Sequence, residues 1–190
     1  MEAVVLDVQN VSHNYSQKGR PVEALNEINL QVAQQEIVAV RGDSGSGKTT
    51  LLLACGAMLR PSEGEVFINQ QNLFSISTKQ RNRIRANTIG YVFQTLQLVP
   101  YLSVLENLTL HNRASKQEAV EWLERFSLEN RLQHKPGELS HGQRQRIALI
   151  RAIAHHPSIL IADEPTGNLD ENNSALVLDI LRHFAESGGA

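Results

Sequence analysis

A chain of 190 residues is long enough for one domain with a sizeable core, and its 41% hydrophobic and 20% charged residues are typical of a globular protein. Its 18 basic and 20 acidic residues leave a net charge of −2, which argues against a protein that binds nucleic acid through a broad basic surface. The single cysteine, Cys55, excludes an internal disulfide and suits a reducing, cytosolic compartment.

The amino-terminal sequence does not predict a secretory signal. Glu2 stands where such a signal would carry a basic residue, and no long apolar stretch follows it. The longest apolar stretch, residues 51–59, is too short to cross a bilayer. We therefore expect this protein to meet a membrane only through a partner, without direct insertion.

The first part of the chain predicts strands and one helix. Residues 4–11 alternate apolar and polar side chains, the period of a half-buried strand, and residues 24–32 repeat this less cleanly. Residues 36–40 form a short apolar run that predicts a further strand. A glycine-rich loop and a predicted helix over residues 48–57 follow. Two more short strands are predicted over residues 65–68 and 89–93.

The middle of the chain predicts helices. Ser103, Ser115 and Ser140 are each followed three residues later by Glu or Gln, the form of a capping box at a helix start. The helix that begins after Ser140 is expected to run to about His155. An apolar strand over residues 159–162 and an amphipathic helix over residues 171–187 complete the chain. Short apolar strands that alternate with helices indicate an α/β fold with a largely parallel, covered sheet, into which a helical segment is inserted.

Residues 42–49 match the phosphate-binding pattern G-x-x-x-x-G-K-[ST], between a predicted strand and a predicted helix. Glycines let backbone N–H groups turn around phosphate oxygens, and the helix that follows points its positive end at them. Lys48 is then placed to bind the β- and γ-phosphates, and the Thr49 hydroxyl to bind Mg²⁺. The alternative is a plain Gly/Ser-rich turn before a helix. The predicted nucleotide-binding residues here are Gly42, Asp43, Ser44, Gly45, Ser46, Gly47, Lys48, Thr49 and Thr50.

Two acids, Asp163 and Glu164, follow the apolar strand over residues 159–162. Open α/β sheets bind ligands at the carboxyl ends of their strands. Asp163 is placed to hold Mg²⁺ through water, and Glu164 to polarise the attacking water. Alone, the two acids are equally compatible with a solvated strand end. Together with the phosphate-binding pattern, they predict a site that hydrolyses ATP.

Further motifs, in the same order and spacing, resemble those of ABC ATPases from Tyr15 to Asp170. Residues 139–143, Leu-Ser-His-Gly-Gln, look like the family's LSGGQ signature, with His141 in place of its first glycine. Asn168-Leu169-Asp170 is similar to the family's D-loop. Gln94 resembles the Q-loop glutamine, and Tyr15 lies where the family has an aromatic residue that stacks on adenine.

This resemblance implies a P-loop NTPase (RecA-like) core, an N-terminal antiparallel β subdomain and a helical subdomain inserted at about residues 95–140. It implies ATP and Mg²⁺ as cofactors and a second ATPase subunit, as a homodimer. Gln94 would act in catalysis with Glu164 and Lys48 and would also bind the metal with Thr49 and Asp163. The remaining nucleotide contacts implied by the family are Tyr15, Ser140, Gly142, Gln143 and Asp170.

Each of these motifs also has a simpler interpretation. Tyr15 can be a surface aromatic residue, Gln94 a polar residue at a strand end, and the signature helix only a well-capped helix. Arg144, Arg146 and Arg151 are interpreted as a solvated helix face rather than a nucleic-acid patch. The apolar residues 96–102 fit either ordinary core or, by resemblance, the surface that contacts a membrane subunit.

Residues 165–170, Pro-Thr-Gly-Asn-Leu-Asp, are similar to the branch that includes lipoprotein-releasing and macrolide-export ATPases and the cell-division ATPase FtsE. That branch implies a transmembrane permease subunit and a peripheral location on the cytoplasmic, inner face of the plasma membrane. An FtsE-like ATPase that regulates a cell-envelope machine without transporting cargo is the alternative. A soluble ABC ATPase that acts on DNA or ribosomes is a third hypothesis, but the chain lacks the coiled-coil insertion or paired domain of such proteins.

The sequence departs from the family's pattern in two places. His141 puts a bulky side chain where the signature has glycine. The family would also continue beyond residue 190 into a strand that ends in a switch histidine. None of the seven histidines is expected to take that place, because His183 lies inside the last predicted helix. We therefore expect a chain that lacks the switch-histidine segment.

Overall fold

The computed structural model describes residues 3–17, 20–110, 114–167 and 169–190. Four of its strands form an antiparallel sheet in the order β2-β1-β3-β4. Their bounds are β1 (Val4–Gln17), β2 (Arg20–Ala33), β3 (Glu63–Ile68) and β4 (Gln71–Asn72). The apolar alternation of β1 buries Leu6 and Val8, and Leu6 pairs with Val32 on one side and Ile68 on the other. This sheet confirms the expected antiparallel β unit near the amino terminus.

A second, parallel sheet consists of β5 (Ile89–Val92) and β6 (Ile159–Ala162). Its register pairs Ile89 with Ile159 and Val92 with Ala162. The N–H of Asp163 donates to the Val92 carbonyl oxygen at 2.9 Å, so the ladder continues past the end of β6. Because parallel strands end at the same edge of a sheet, the residues after β5 and β6 lie side by side.

Six helices and two short 3₁₀ turns complete the described structure. The helices are α1 (Lys48–Cys55), α2 (Thr78–Thr88), α3 (Val104–Thr109), α4 (Lys116–Arg125), α5 (His141–Ile153) and α6 (Glu171–Glu186), and the turns span Glu129–Arg131 and Pro136–Glu138. The capping boxes expected at Ser103, Ser115 and Ser140 all form. The sequence analysis missed α2 because that helix buries none of its residues and so has no apolar stripe. None of the helices in the described ranges is both long and apolar enough to cross a membrane.

Two hydrophobic clusters cover the two faces of the parallel sheet. Ile89, Ile159 and Ile161 pack with α1 and the antiparallel sheet. Val92 and Leu160 face a cluster formed by α3, α4, α5 and α6. Most of α5 is buried, so this helix lies in the centre of the second cluster. The covered parallel sheet confirms the predicted α/β class.

The strand predicted over residues 36–40 is not formed. These residues are exposed and irregular, and Ile37, Val38 and Val40 have large apolar side chains in contact with solvent. A groove of about 360 Å³ lies between this run and β6. A strand needs a neighbour for its backbone hydrogen bonds, and within the described ranges no strand pairs with this run. Apolar composition alone therefore did not produce a strand here.

The outer edge of β6, which faces this groove, is paired at one end. The N–H of Ala190 donates to the Ser158 carbonyl oxygen at 3.1 Å, and the N–H of Leu160 donates to the Ala190 carbonyl oxygen at 2.7 Å. This alternation is the pattern of a parallel ladder. The groove extends from Ala190 to Asp163 and Glu164.

The three arginines of α5 do not form a solvated face, which corrects the interpretation from sequence. Arg144 donates to the Leu139 carbonyl oxygen at 2.7 Å, and the buried Arg146 donates to that of Phe126 at 3.0 Å. Arg151 donates to the carbonyl oxygens of Gln97 at 2.7 Å and Leu96 at 3.0 Å. Burial lowers the pKa of both Arg146 and Arg151 from the ordinary value. These side chains attach loops to α5 by donating to loop carbonyl oxygens, of which that of Phe126 is buried and needs a donor.

Candidate functional site

The phosphate-binding loop ends at the start of α1, as the sequence predicts. Gly47 precedes the helix with φ at 89°, and a Cβ atom there would clash with the Ala24 carbonyl oxygen. A glycine is therefore required at this position. No side chain caps the start of α1. Its first N–H groups, which have no partner within the helix, face the exposed loop over residues 42–46.

Lys48 folds back over this loop. Its ammonium group donates to the carbonyl oxygens of Gly42 at 2.8 Å and Asp43 at 2.7 Å. The Ser46 N–H donates to the same Asp43 carbonyl oxygen at 3.2 Å, which closes the turn through Ser44 and Gly45. A lysine has three donors, so one remains for a ligand. The loop therefore presents a fixed positive charge beside the free N–H groups of α1.

Thr49 and Asp163 lie in contact, although 114 positions separate them in the sequence. The Thr49 hydroxyl donates to Asp163 Oδ2 at 2.9 Å. Asp163 is 7% exposed, so its carboxylate is directed at α1 rather than at solvent. A hydroxyl and a carboxylate are oxygen ligands of the kind that Mg²⁺ prefers. Their contact matches the metal-binding role predicted for both residues.

Gln94 and Glu164 form the second pair at this edge of the sheet. The Gln94 side-chain nitrogen donates to Glu164 Oε2 at 2.9 Å. This contact is explained by the register of the parallel strands β5 and β6, in which Ile89 pairs with Ile159. Gln94 lies five residues after Ile89, and Glu164 lies five residues after Ile159. Donation through the amide nitrogen leaves the Gln94 amide oxygen available as a metal ligand.

Glu164 itself has a φ of 50°, in the left-handed region that side chains other than glycine rarely adopt. The Gly167 N–H donates to its carbonyl oxygen at 3.0 Å and closes a turn around it. Such a conformation costs free energy and is found mainly where the surrounding structure requires it. Glu164 is exposed, so its carboxylate can reach a ligand in the loop.

Tyr91 in β5 lies beside this group. Its ring packs against Gly56, and its pKa is raised by burial and by the nearby carboxylate of Asp163. The Tyr91 hydroxyl is buried and has no hydrogen-bond partner among the described residues. The phenol therefore stays protonated beside the Asp163 carboxylate, and one wall of the site is uncharged.

Tyr15 is held close to the phosphate-binding loop. Its hydroxyl lies 3.4 Å from the Thr50 hydroxyl, and either group can donate. The ring of the buried His13 contacts it edge-on, with the centroids 4.6 Å apart. The Tyr15 side chain is 41% exposed, which leaves part of its ring open for stacking.

The remaining predicted residues lie in a second group, at the starts of α5 and α6. The Ser140 hydroxyl accepts from the Gln143 N–H at 3.2 Å, and the Gln143 side-chain oxygen accepts from the Ser140 N–H at 3.0 Å. Asp170 caps α6 and is exposed. Asn168 lies outside the described residues. Among those described, no hydrogen bond joins this group to the phosphate-binding loop.

The structure distinguishes positions 141 and 142 of the signature. His141 takes the first position of α5 with an exposed side chain, so a bulky residue fits there. Gly142 is buried, and a Cβ atom at this position would clash with the side-chain oxygen of Asn173 in α6. The departure from the family at residue 141 therefore needs no rearrangement of this chain.

The sequence analysis missed two residues that contact the predicted site. Asn173 packs against Gly142 and bonds Asp170, and Arg151 bonds the backbone just after Gln94. For Asn173 the available signal was the Asp-x-x-Asn spacing at a helix start, where the third helical residue meets the cap. For Arg151 no local pattern existed, because its partners lie more than 50 positions away.

Comparisons with known proteins identify similar sequences and structures. A family profile described as "ABC transporter" matches residues 25–167. The chain is 38% identical over 189 residues to a lipoprotein-releasing system ATP-binding protein LolD of Acinetobacter baylyi, covering 95% of the chain and 83% of that relative. A LolD of Syntrophotalea carbinolica is 40% identical and is covered to 86%.

The fold is similar to solved structures of MJ0796, an ABC transporter ATP-binding protein of Methanocaldococcus jannaschii. One is a dimeric cassette with a TM-score of 0.88 and 35% identity, covering 96% of this chain and 83% of that one. A second is a dimer in a post-hydrolysis state bound to ADP and Pi, with a TM-score of 0.87. In a dimer of this kind, residues from two different subunits can lie next to each other.

Proposed function

Since this chain belongs to the ABC transporter family, we propose that it is the subunit that hydrolyses Mg-ATP as a homodimer to drive a membrane partner of the lipoprotein-releasing or export type. The observation that supports this most strongly is the pair of contacts Thr49–Asp163 and Gln94–Glu164. Both lie at the carboxyl ends of β5 and β6, next to the phosphate-binding loop. They bring a cation site, a carboxylate base and an anion site to one edge of the sheet.

Binding of the nucleotide is assigned to the loop, to α1 and to Tyr15. The N–H groups at the start of α1 and the ammonium group of Lys48 bind phosphate oxygens, because both are donors with positive charge. The exposed part of the Tyr15 ring stacks on the adenine. Its hydroxyl, 3.4 Å from that of Thr50, fixes the ring relative to α1.

Thr49, Gln94 and Asp163 are proposed to hold Mg²⁺, Asp163 through water. Their oxygens fit a hard cation that keeps several waters of its own. When bound, the ion neutralises charge on the phosphates and orients them for displacement. The Thr49 hydroxyl donates to Asp163 at 2.9 Å, so the two oxygens are close to each other.

Glu164 is proposed to accept the proton of the attacking water. Gln94 donates to one carboxylate oxygen at 2.9 Å and leaves the other free. The positive φ of Glu164 turns the chain out of the extended conformation of β6 at this residue. General-base catalysis by a positioned carboxylate contributes about 10²- to 10⁴-fold to a rate.

The second group of residues is proposed to act on the nucleotide of the other subunit. Ser140, Gly142 and Gln143 lie at the start of α5, where a hydroxyl and free N–H groups favour an anion. A second copy of the chain is proposed to supply this group to the nucleotide bound in the loop, which makes the working unit a homodimer.

The membrane partner is proposed to contact residues 96–102. Leu96 and Leu98 pack partly on the helical core, whereas the Tyr101 side chain is 74% exposed. This segment follows Gln94 directly, so a movement at the partner can reach the site. The names of the LolD relatives support a lipoprotein-releasing system. Contact with a membrane partner would hold the chain at the cytoplasmic face of the plasma membrane.

Replacement of Glu164 by Gln tests the catalytic assignment. Gln can still accept from Gln94 but cannot take a proton, so we expect Mg-ATP affinity within a few-fold of the parent and a rate lowered by about 10²-fold or more. Sedimentation velocity should show a dimer that forms only with Mg-ATP. Glu124→Gln, an exposed residue of α4, is the matched control. Hydrolysis at the parent rate would remove Glu164 from the mechanism.

A photo-reactive amino acid at position 101 tests the partner. Cross-linking in native membranes should capture an integral membrane protein, whereas the same group at the exposed Gln117 of α4 should not. Cargo extraction by the reconstituted pair then separates a transporter from an FtsE-like regulator, which would hydrolyse ATP without moving cargo. No adduct at position 101 would argue against this surface as the contact.

A further inference from the structure

Asn173 lies between two parts of the proposed dimer surface. Its backbone N–H donates to Asp170 Oδ1 at 2.8 Å, and its side-chain nitrogen donates to Asp170 Oδ2 at 2.7 Å. Both oxygens of this exposed carboxylate are therefore held by a single residue. The same hydrogen bonds hold the pKa of Asp170 below its ordinary value.

The opposite side of the Asn173 amide packs on the signature. If residue 142 had a Cβ atom, the three atoms nearest to it would all belong to the Asn173 amide, first Oδ1, then Cγ and then Nδ2. The buried Gly142 lies in the first turn of α5, two positions after the Ser140 cap. The amide of Asn173 is thus enclosed between the Asp170 carboxylate and the backbone of α5.

We propose that Asn173 is a positioning residue that holds the Asp170 loop and the start of α5 in one fixed arrangement, so that both meet the second subunit as one surface. This inference rests on the proposed function, in which the two segments face the nucleotide of the other subunit. Asn173 touches neither nucleotide nor metal. It acts through Asp170 and Gly142.

Two features support positioning over simple helix capping. A cap needs only the backbone N–H of the third helical residue, and Asn173 supplies that already. Its side chain adds a charge-assisted hydrogen bond to Asp170. The same side chain occupies the space next to Gly142 that a larger residue at position 142 would need. A smaller residue at position 173 would retain the cap but would lose the side-chain hydrogen bond to Asp170 and the packing against Gly142.

The test compares Asn173→Ala, Asn173→Asp and Asn172→Ala in the Glu164→Gln background. The aspartate variant keeps the shape of the side chain but replaces the donor with a second carboxylate. Asn172 is the exposed neighbour, and its side chain makes no hydrogen bond among the described residues, so its variant is the control. The readouts are the Mg-ATP dissociation constant, the dimer dissociation constant, and the pKa of Asp170 followed by NMR in the nucleotide-free chain.

We expect Asn173→Ala to weaken the Mg-ATP dimer about tenfold, with nucleotide affinity unchanged, since each subunit loses the internal hydrogen bond that holds its Asp170 carboxylate in place for the interface. Asn173→Asp should weaken it at least as much. The pKa of Asp170 should rise in both variants, and Asn172→Ala should match the parent in every readout. A purely structural role would lower stability without moving the dimer constant.

Several outcomes would overturn the proposal. One is an Asp170 pKa that is the same in Asn173→Ala and Asn172→Ala. Another is equal dimer constants for these two variants. If the Glu164→Gln chain itself forms no dimer with Mg-ATP, the proposed function fails. The Asp170 pKa and amide exchange at residues 141–143 then decide the role of Asn173 without any nucleotide.

Discussion

At the scale of single residues, the site depends on a few side chains with unusual surroundings. Glu164 holds a left-handed backbone, and Asp163 is almost fully buried at a strand end. Lys48 is bonded to the backbone of its own loop. These contacts hold the three side chains in place, and groups that are held in place bind a ligand more tightly.

Replacement of Lys48 by Ala should raise the Mg-ATP dissociation constant by about 100-fold, because a charge-assisted contact to phosphate is lost and the carbonyls of Gly42 and Asp43 lose their donor. Isothermal titration calorimetry measures this directly. Lys79→Ala removes an exposed lysine of α2 and is the control. Equal affinities in the two variants would show that the nucleotide binds elsewhere.

At the scale of elements, α5 connects the proposed site to the proposed partner surface. Its first turn carries the signature, and Arg151 in its last turn bonds the carbonyls of Leu96 and Gln97. A helix is stiff over this length, so a displacement at residues 96–102 is transmitted along α5 to Ser140. The guanidinium group is suited to this because its planar fork binds two acceptors at once.

Arg151→Ala should lower the melting temperature by roughly 4–10 °C, since the two hydrogen bonds of its guanidinium group to the loop carbonyls of Gln97 and Leu96 are lost. Arg151→Lys should recover only part of this, because an ammonium group cannot reproduce the fork. Differential scanning calorimetry provides the measurement, with the exposed Arg182→Ala of α6 as control. A lysine variant as stable as the parent would mean that charge alone is sufficient.

At the scale of the whole molecule, the cluster that α1 shares with both sheets encloses the end of this helix. Cys55 is 2% exposed, and burial raises its pKa from the ordinary 9.0 to about 12. The reactive thiolate is therefore scarce at neutral pH. Modification of this thiol requires that α1 separates from the sheets.

Native protein at pH 8 should therefore react with a thiol reagent only as fast as it unfolds, and Mg-ATP should slow the reaction further by stabilising the folded state. Denatured protein should react at once with one thiol per chain, because Cys55 is the sole cysteine of the sequence. Mass spectrometry of timed samples gives both rates. Rapid labelling of the folded chain would contradict the burial of Cys55.

The sequence by itself determined the features that depend on local chemistry. The phosphate-binding loop, the strand over residues 159–162 and the three Ser-capped helices follow from glycine freedom, apolar runs and capping boxes, and the structure has them where they were predicted. The pairing of an anion loop with a strand that ends in Asp163 and Glu164 was sufficient to indicate the class of reaction.

Only the tertiary structure decided which distant groups meet and which segments find partners. Residues 36–40 have the composition of a strand but no neighbour among the described strands. The arginines of α5 look solvated in sequence but donate to backbone carbonyl oxygens of loops. Contacts such as that of Asn173 with Gly142 arise from the packing of α5 on α6. Hydrogen bonds need a specific partner at short range, and packing, rather than local sequence, determines which partner is present.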